Sequence, residues 1–231
     1  MDQLLARIQA SSGLVFGCFS TIHLGGHALS VYSFDRADAF MLGARELYQA
    51  PYAETVVFGS LLVHIIASSA RYYIRSQAPK KQATRHNSKL LRSVVQEKRY
   101  HRYSGYFLGA VILVHVTATR LGPLLVLPDP SVVDLTMVTH SFQDPGLIMI
   151  PYYIALGTAG MYHSAYGSIQ ALREFGLQIP VKAGLWTRFL VASTILMTAT
   201  TLALYGAFEI IYVSHTDAFV TVNKAMMRGF M

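Results

Sequence analysis

The chain has 231 residues, of which 53% are hydrophobic and only 13% charged. A soluble domain carries about 25% charged residues, so too few charges remain to solvate a globule of this size, and an integral membrane protein is the first reading. The net charge of +7 does not argue for nucleic acid as a partner, because the basic residues are sorted by loop, as membrane topology requires.

Uncharged runs lie between Arg7 and Asp35, Glu54 and Arg71, Arg102 and Arg120, Asp144 and Arg173, and Arg188 and Glu209. A membrane span needs about 20 apolar residues. The first, fourth and fifth runs meet this. The second and third are shorter, and Tyr52, Tyr72, Tyr73, Tyr103, Tyr106 and snorkelling arginines extend them. Backbone groups in lipid must be satisfied within the segment, so the spans are expected to be helices. Five transmembrane helices in an all-α integral membrane protein are predicted. The N-terminus has neither a basic n-region nor a cleavage signature, so the first run is expected to be a span and not a removed signal peptide. The single Cys18 leaves no intrachain disulfide and no Cys-x-x-Cys pair.

With five spans, the N-terminus, the 75–102 loop and the 173–188 loop share one side, which holds 14 Lys+Arg and 3 Asp+Glu once Arg7 and Arg71 are included. The opposite side holds 5 Lys+Arg and 9 Asp+Glu. The N-terminus is therefore expected on the matrix or cytoplasmic side, in the mitochondrial inner membrane or a bacterial cytoplasmic membrane.

The first and third runs share a phrase. Ser12-Gly13 leads through Gly17 to His23, and Ser104-Gly105 through Gly109 to His115, both as Ser-Gly-x3-Gly-x5-His. Each is followed by a run with its own histidine, His64 and then His163. The chain therefore reads as a tandem two-helix repeat within a single membrane domain. Repeat 1 covers about 8–75 and repeat 2 about 102–173, joined by a basic linker loop at 76–101, with a peripheral fifth helix at about 187–213. The repeats have parallel orientation and a pseudo-two-fold along the membrane normal.

Nine histidines occur. His86, His101, His140 and His215 fall in loops or at span ends, where a solvated ring is the default. An intramembrane histidine is a functional candidate, although a single one equally suits an interhelical hydrogen bond. Four successive helices with one each near mid-depth point to ligation, because a four-helix bundle holds a haem edge-on between two facing imidazoles. His27, one turn after His23, is the alternative ligand on that helix. The repeat aligns His115 with His23, and Thr119 with His27. Gly13, Gly17, Gly105 and Gly109 suit either close helix packing of the small-xxx-small kind or a groove for a flat macrocycle.

Depth sorts the pairs. At 1.5 Å per residue, His64 and His163 lie roughly 10–15 Å from the basic side, and His115 and His23 roughly 20–24 Å. His23 should pair with His115, and His64 with His163, giving two stacked haems b. Two bis-histidine sites favour electron transfer over oxygen chemistry.

The stretch from Arg102-Tyr103-Ser104-Gly105 through His115 to Arg120, with Met161-Tyr162-His163-Ser164-Ala165-Tyr166-Gly167 and the looser His64 with Ser68, resembles the five-helix, di-haem cytochrome b anchor subunit of succinate:quinone oxidoreductases and fumarate reductases. The resemblance covers roughly residues 8–213. It implies a non-catalytic electron-transfer subunit of respiratory complex II, with the same histidine pairing. Flavoprotein and iron–sulfur partners and a quinone would lie on the N-terminal side. His101-Arg102-Tyr103-Ser104-Gly105 also resembles a signature of smaller succinate dehydrogenase anchors, which makes Arg102 and Ser104 candidate quinone residues. Arg120 beside His115 is a candidate partner for a haem propionate or an ordinary snorkelling arginine. Glu54 and Glu209 are candidate proton carriers or plain interface acids.

A second resemblance is to small mitochondrial membrane proteins of a fungal family linked to lipid homeostasis. These share a duplicated histidine-bearing span without a dehydrogenase partner. A third reading is a structural or accessory membrane subunit whose histidines only pack.

Overall fold

A run of apolar residues in lipid has no partner for its backbone except itself, and the computed structural model accordingly builds the chain from helices. It describes residues 1–77, 89–182 and 184–229, with the backbone alone at 89–93. All regular structure among these residues is helical: α1 (Asp2–Ala28), α2 (Phe34–Tyr48), α3 (Pro51–Ser76), α4 (Lys89–Val116), α5 (Gly122–Val126), α6 (Thr136–Ser141), α7 (Met149–Glu174), α8 (Leu185–Tyr205) and α9 (Thr216–Gly229).

Four helical stretches, Asp2–Val31, Pro51–Ser76, Val94–Val126 and Leu185–Tyr205, are long and apolar enough to cross a membrane. The protein is an all-α integral membrane protein. The fourth predicted span, α7, has 26 residues but is not among these four. It is the innermost helix, packed against α1, α4 and α8, with Gly157, Gly160, Tyr162 and Tyr166 buried. A helix whose faces meet protein on three sides does not need lipid-grade apolarity, and its tyrosines and serines follow from that.

Local chemistry sets the helix ends. Pro51 opens α3, where its missing N–H costs nothing. Gly176 (φ 90°) and Gly206 (φ 91°) close α7 and α8 in the left-handed conformation. The amides that follow, Leu177 and Ala207, reach back to Leu172 O and Leu202 O at 3.1 and 3.0 Å. α8 therefore ends at Tyr205, short of the expected 213. The linker is shorter than expected too: α4 begins at Lys89, so 89–101 is helical, while Pro79, Lys80, Lys81 and His86 lie outside the described residues. At its other end α4 runs through a π-helical turn, Thr117–Leu121, into α5. Pro123 has no N–H for the ladder, and the widened turn just before it accommodates the loss.

The segments between the expected spans at 34–54 and 120–146, and the C-terminal tail, hold four more helices, α2, α5, α6 and α9. Ser33 caps α2 by accepting from Arg36 N–H. These helices cover the end of the bundle opposite the N-terminus. Phe34, Ala37, Leu135, Phe142 and Leu204 form its apolar core. Polar ties fasten it: Phe34 N–H to Glu209 at 2.6 Å, Leu135 N–H to Asp38 at 2.9 Å, Thr139 to Leu204 O at 2.8 Å, and Arg45 to Val133 O. Glu209 thus serves as an acceptor inside this cap. His140, expected to be solvated, is 4% exposed within it.

The bundle core is α1, α3, α4 and α7. α1 lies between α3 and α7, α4 packs on α7, and α8 covers α7 from outside. The diagonals of the square are α1 with α4 and α3 with α7.

Candidate functional site

The structure brings the four intramembrane histidines together across those diagonals. The rings of His23 and His115 lie 6.3 Å apart, centre to centre, at an interplanar angle of 73°. Those of His64 and His163 lie 6.1 Å apart at 88°. A direct N–H···N bond of about 3 Å would need ring centres roughly 5.2 Å apart, and neither pair is joined by one. A metal–imidazole bond of about 2 Å, plus roughly 1.1 Å from ring nitrogen to ring centre, puts two trans imidazoles about 6.3 Å apart. Both pairs thus stand edge-on, too far apart for the direct N–H···N bond, at a centre spacing that two imidazoles sharing a metal would also have.

Orientation is fixed at the pair nearer the N-terminal end. His64 Nδ1 lies 3.0 Å from Gln9 O, and His163 Nδ1 lies 3.2 Å from His101 O. A carbonyl only accepts, so in each ring Nδ1 carries the proton and Nε2 keeps its lone pair. This is the arrangement that metal-bound histidines show in their outer contacts. Gln9 and His101 occupy equivalent positions in the two repeats, three residues before Ser12 and Ser104. Gln9 is held in turn by its side chain, which accepts from Arg71, while Arg71 pairs with Asp2 at 3.1 Å.

The motif glycines have a role that spacing along one helix did not reveal. A Cβ at Gly13 would stand 2.9 Å from the His64 ring, and one at Gly105 would stand 2.8 Å from the His163 ring. Each Ser-Gly pair is thus the seat of the imidazole on the following span. Gly13 and His23 on one helix serve different pairs, and at 1.5 Å per residue the ten positions between them set the two pairs about 15 Å apart along the bundle.

Gly17 and Gly109 differ from each other. Gly17 is buried in the α1/α7 seam, where a Cβ would meet Ser168 at 3.4 Å. In the same seam Ser164 donates to Ser20 at 3.1 Å, and Leu24 faces Gly160. Gly109 is exposed, and a Cβ there would meet nothing within 4 Å.

The remaining candidates fall as follows. His27 packs edge-on against His23, with centres 4.7 Å apart. Arg120 forms a two-point ion pair with Glu54, at 2.5 and 2.9 Å. Ser104 donates to His101 O at 2.9 Å and lies 3.4 Å from His163 Nδ1, while Arg102 is exposed. His101, set aside as a span-end residue, lies inside the site, stacked on His163 at 4.3 Å and on Tyr166 at 4.7 Å. Its position as the counterpart of Gln9 was the available signal. Beyond it, Tyr162, Tyr166 and Trp186 form a buried aromatic cluster.

The donor set has the chemistry of two bis-imidazole sites. His64 and His163 would hold one haem and His23 and His115 the other, and His23 Nδ1 is buried without a hydrogen-bond partner. No curated protein and no solved structure matches the chain. Residues 110–216, a little under half of the chain and including His115, His163 and α8, match the family model described as MDM10-complementing protein 1, transmembrane domain.

Proposed function

We propose that this is a stand-alone mitochondrial membrane protein that holds two b-type haems in bis-histidine sites and is linked to lipid homeostasis. The observation that carries the haem reading is the pair of diagonal histidine contacts at 6.1 and 6.3 Å, one of them with both Nδ1 atoms committed to backbone carbonyls. The stand-alone and mitochondrial part rests on the similarity over 110–216 to a transmembrane-domain family, which favours it over a dehydrogenase anchor.

When bound, a bis-histidine haem supplies one-electron exchange with no open iron position. The chain's own part is to present the imidazoles. Gln9 O and His101 O fix the tautomer of one pair, Gly13 and Gly105 let those ring edges approach the neighbouring backbone closely, and the surrounding helices keep water out.

Protein purified in detergent is expected to give a low-spin b-type spectrum with two haems per chain by pyridine haemochrome. It should carry them without co-purifying flavin or iron–sulfur subunits. A spectrum with no Soret band would leave the structural reading, and co-purification with a flavoprotein would restore the complex II anchor with its quinone.

A further inference from the structure

The pseudo-two-fold that relates the repeats also relates two seams, α1/α7 and α3/α4. The first is closed by Gly17 against Ser168, Ser20 against Ser164 and Leu24 against Gly160. The second is not: among the described residues α3 and α4 scarcely touch, and a Cβ at Gly59 or Gly109 would meet nothing within 4 Å. The two helices meet at the ends of the seam. Near the N-terminal side Tyr72 packs edge-on against Tyr106, with centres 6.4 Å apart. Near the capped side Arg120 holds Glu54. Between these frames lies a cleft of about 450 Å³, lined by Glu54, Phe58, Gly59, Leu62, Leu121 and Leu124. On α3 its lining runs from Leu62 to Glu54, two to ten residues past His64, so it extends from about 3 to about 15 Å beyond that histidine, toward the His23–His115 pair. The cap of α2, α5, α6 and α9 closes the aqueous approach from that end.

We propose that the α3/α4 seam is the lateral port through which haem enters the His23–His115 site from the bilayer, with the Glu54–Arg120 ion pair as its latch. This rests on the haem reading above. The lining suits such an occupant: the walls are largely apolar, Gly59 lines the cleft without a side chain, and Arg120 at the mouth is already matched to a carboxylate. A haem propionate can take the place of the Glu54 carboxylate on Arg120, an exchange of like charge for like. Among the described residues the other three seams are packed or hydrogen-bonded, which leaves α3/α4 as the open one.

The test uses full-length apoprotein from haem-deficient membranes, reconstituted in phosphatidylcholine nanodiscs, in a His64→Ala background so that one site remains. Haemin is delivered from phosphatidylcholine liposomes, and the Soret rise is followed by stopped flow. Gly59→Trp, which fills the cleft, should slow loading at least tenfold at unchanged final stoichiometry. Glu54→Gln, which weakens the latch, should speed it severalfold. Val191→Trp, on the exposed face of α8, should load at the parent rate. Parent-rate loading by both Gly59→Trp and Glu54→Gln, with folding verified by thermal melting, overturns the port and leaves the haem sites standing. Phospholipid retained in the cleft with haem uptake unaffected also overturns it. No Soret band in the parent overturns the haem reading and the port together.

Discussion

The two histidine pairs are built from equivalent elements but held in different ways. His64 and His163 each sit on a glycine and point Nδ1 at a backbone carbonyl. Among the described residues His23 and His115 have neither support: His23 Nδ1 is buried without a partner, His27 crowds its ring, and the turn after His115 is π-helical. In one pair each ring is held by the backbone of the preceding helix of its own repeat, and the other pair is held by side-chain packing and the cap. The first should therefore be the tighter and more rigid site, and the second the more adjustable one.

The strongest way to break this comparison is to remove ligands. His64→Ala or His163→Ala should cost one haem of two and leave the other spectrum intact, read by haemochrome stoichiometry. His23→Ala should remove the other haem while His27→Ala retains it. The reverse result would make His27 the ligand. A finer test uses the seats. Gly13→Ala and Gly105→Ala push a methyl into the ring and should weaken only the His64–His163 site, by roughly 10–100-fold as for other changes in the outer contacts of a metal ligand; equal weakening of both sites would contradict the assignment of seats. His101→Phe should move that site's affinity only severalfold, because its contribution to His163 is a main-chain carbonyl and the stacked ring is replaced by another aromatic. The smallest expected effect is Ser20→Ala, which removes the hydrogen bond to Ser164 and should lower thermal stability by about 0.6 kcal/mol, with both haem spectra unchanged.

The histidine pairing was legible because two periodicities agreed. The repeat aligned His23 with His115, and helix rise placed each pair at its own depth. The seats were equally within reach of that arithmetic: ten residues from Gly13 to His23 already put the glycine at the level of the other pair. Reading the motif as one unit on one helix hid this. The cap was not legible, because α2 and α6 carry mixed polar and apolar residues that look like loop until they find a neighbour. Phe34, Leu135 and Phe142 come together from distant parts of the chain. The same holds for His101 and His140, which are sequestered only by helices far from them in sequence. α7 was expected as a span within the four-helix core, and its tyrosines belong to such a helix, packed by protein on three sides.

The interlocking of seats and ligands also bears on how such a molecule can arise. A hairpin of α1 and α3 alone carries Gly13 with the imidazole it seats, His64, and one half of the other pair, His23. Two such hairpins about a two-fold axis would complete both sites with identical halves. The present chain has the layout of that homodimer with its halves joined end to end. Once joined, the halves were free to diverge, so that one repeat-to-repeat seam could be zipped by small residues and overlaid by α8 while its twin stayed ajar.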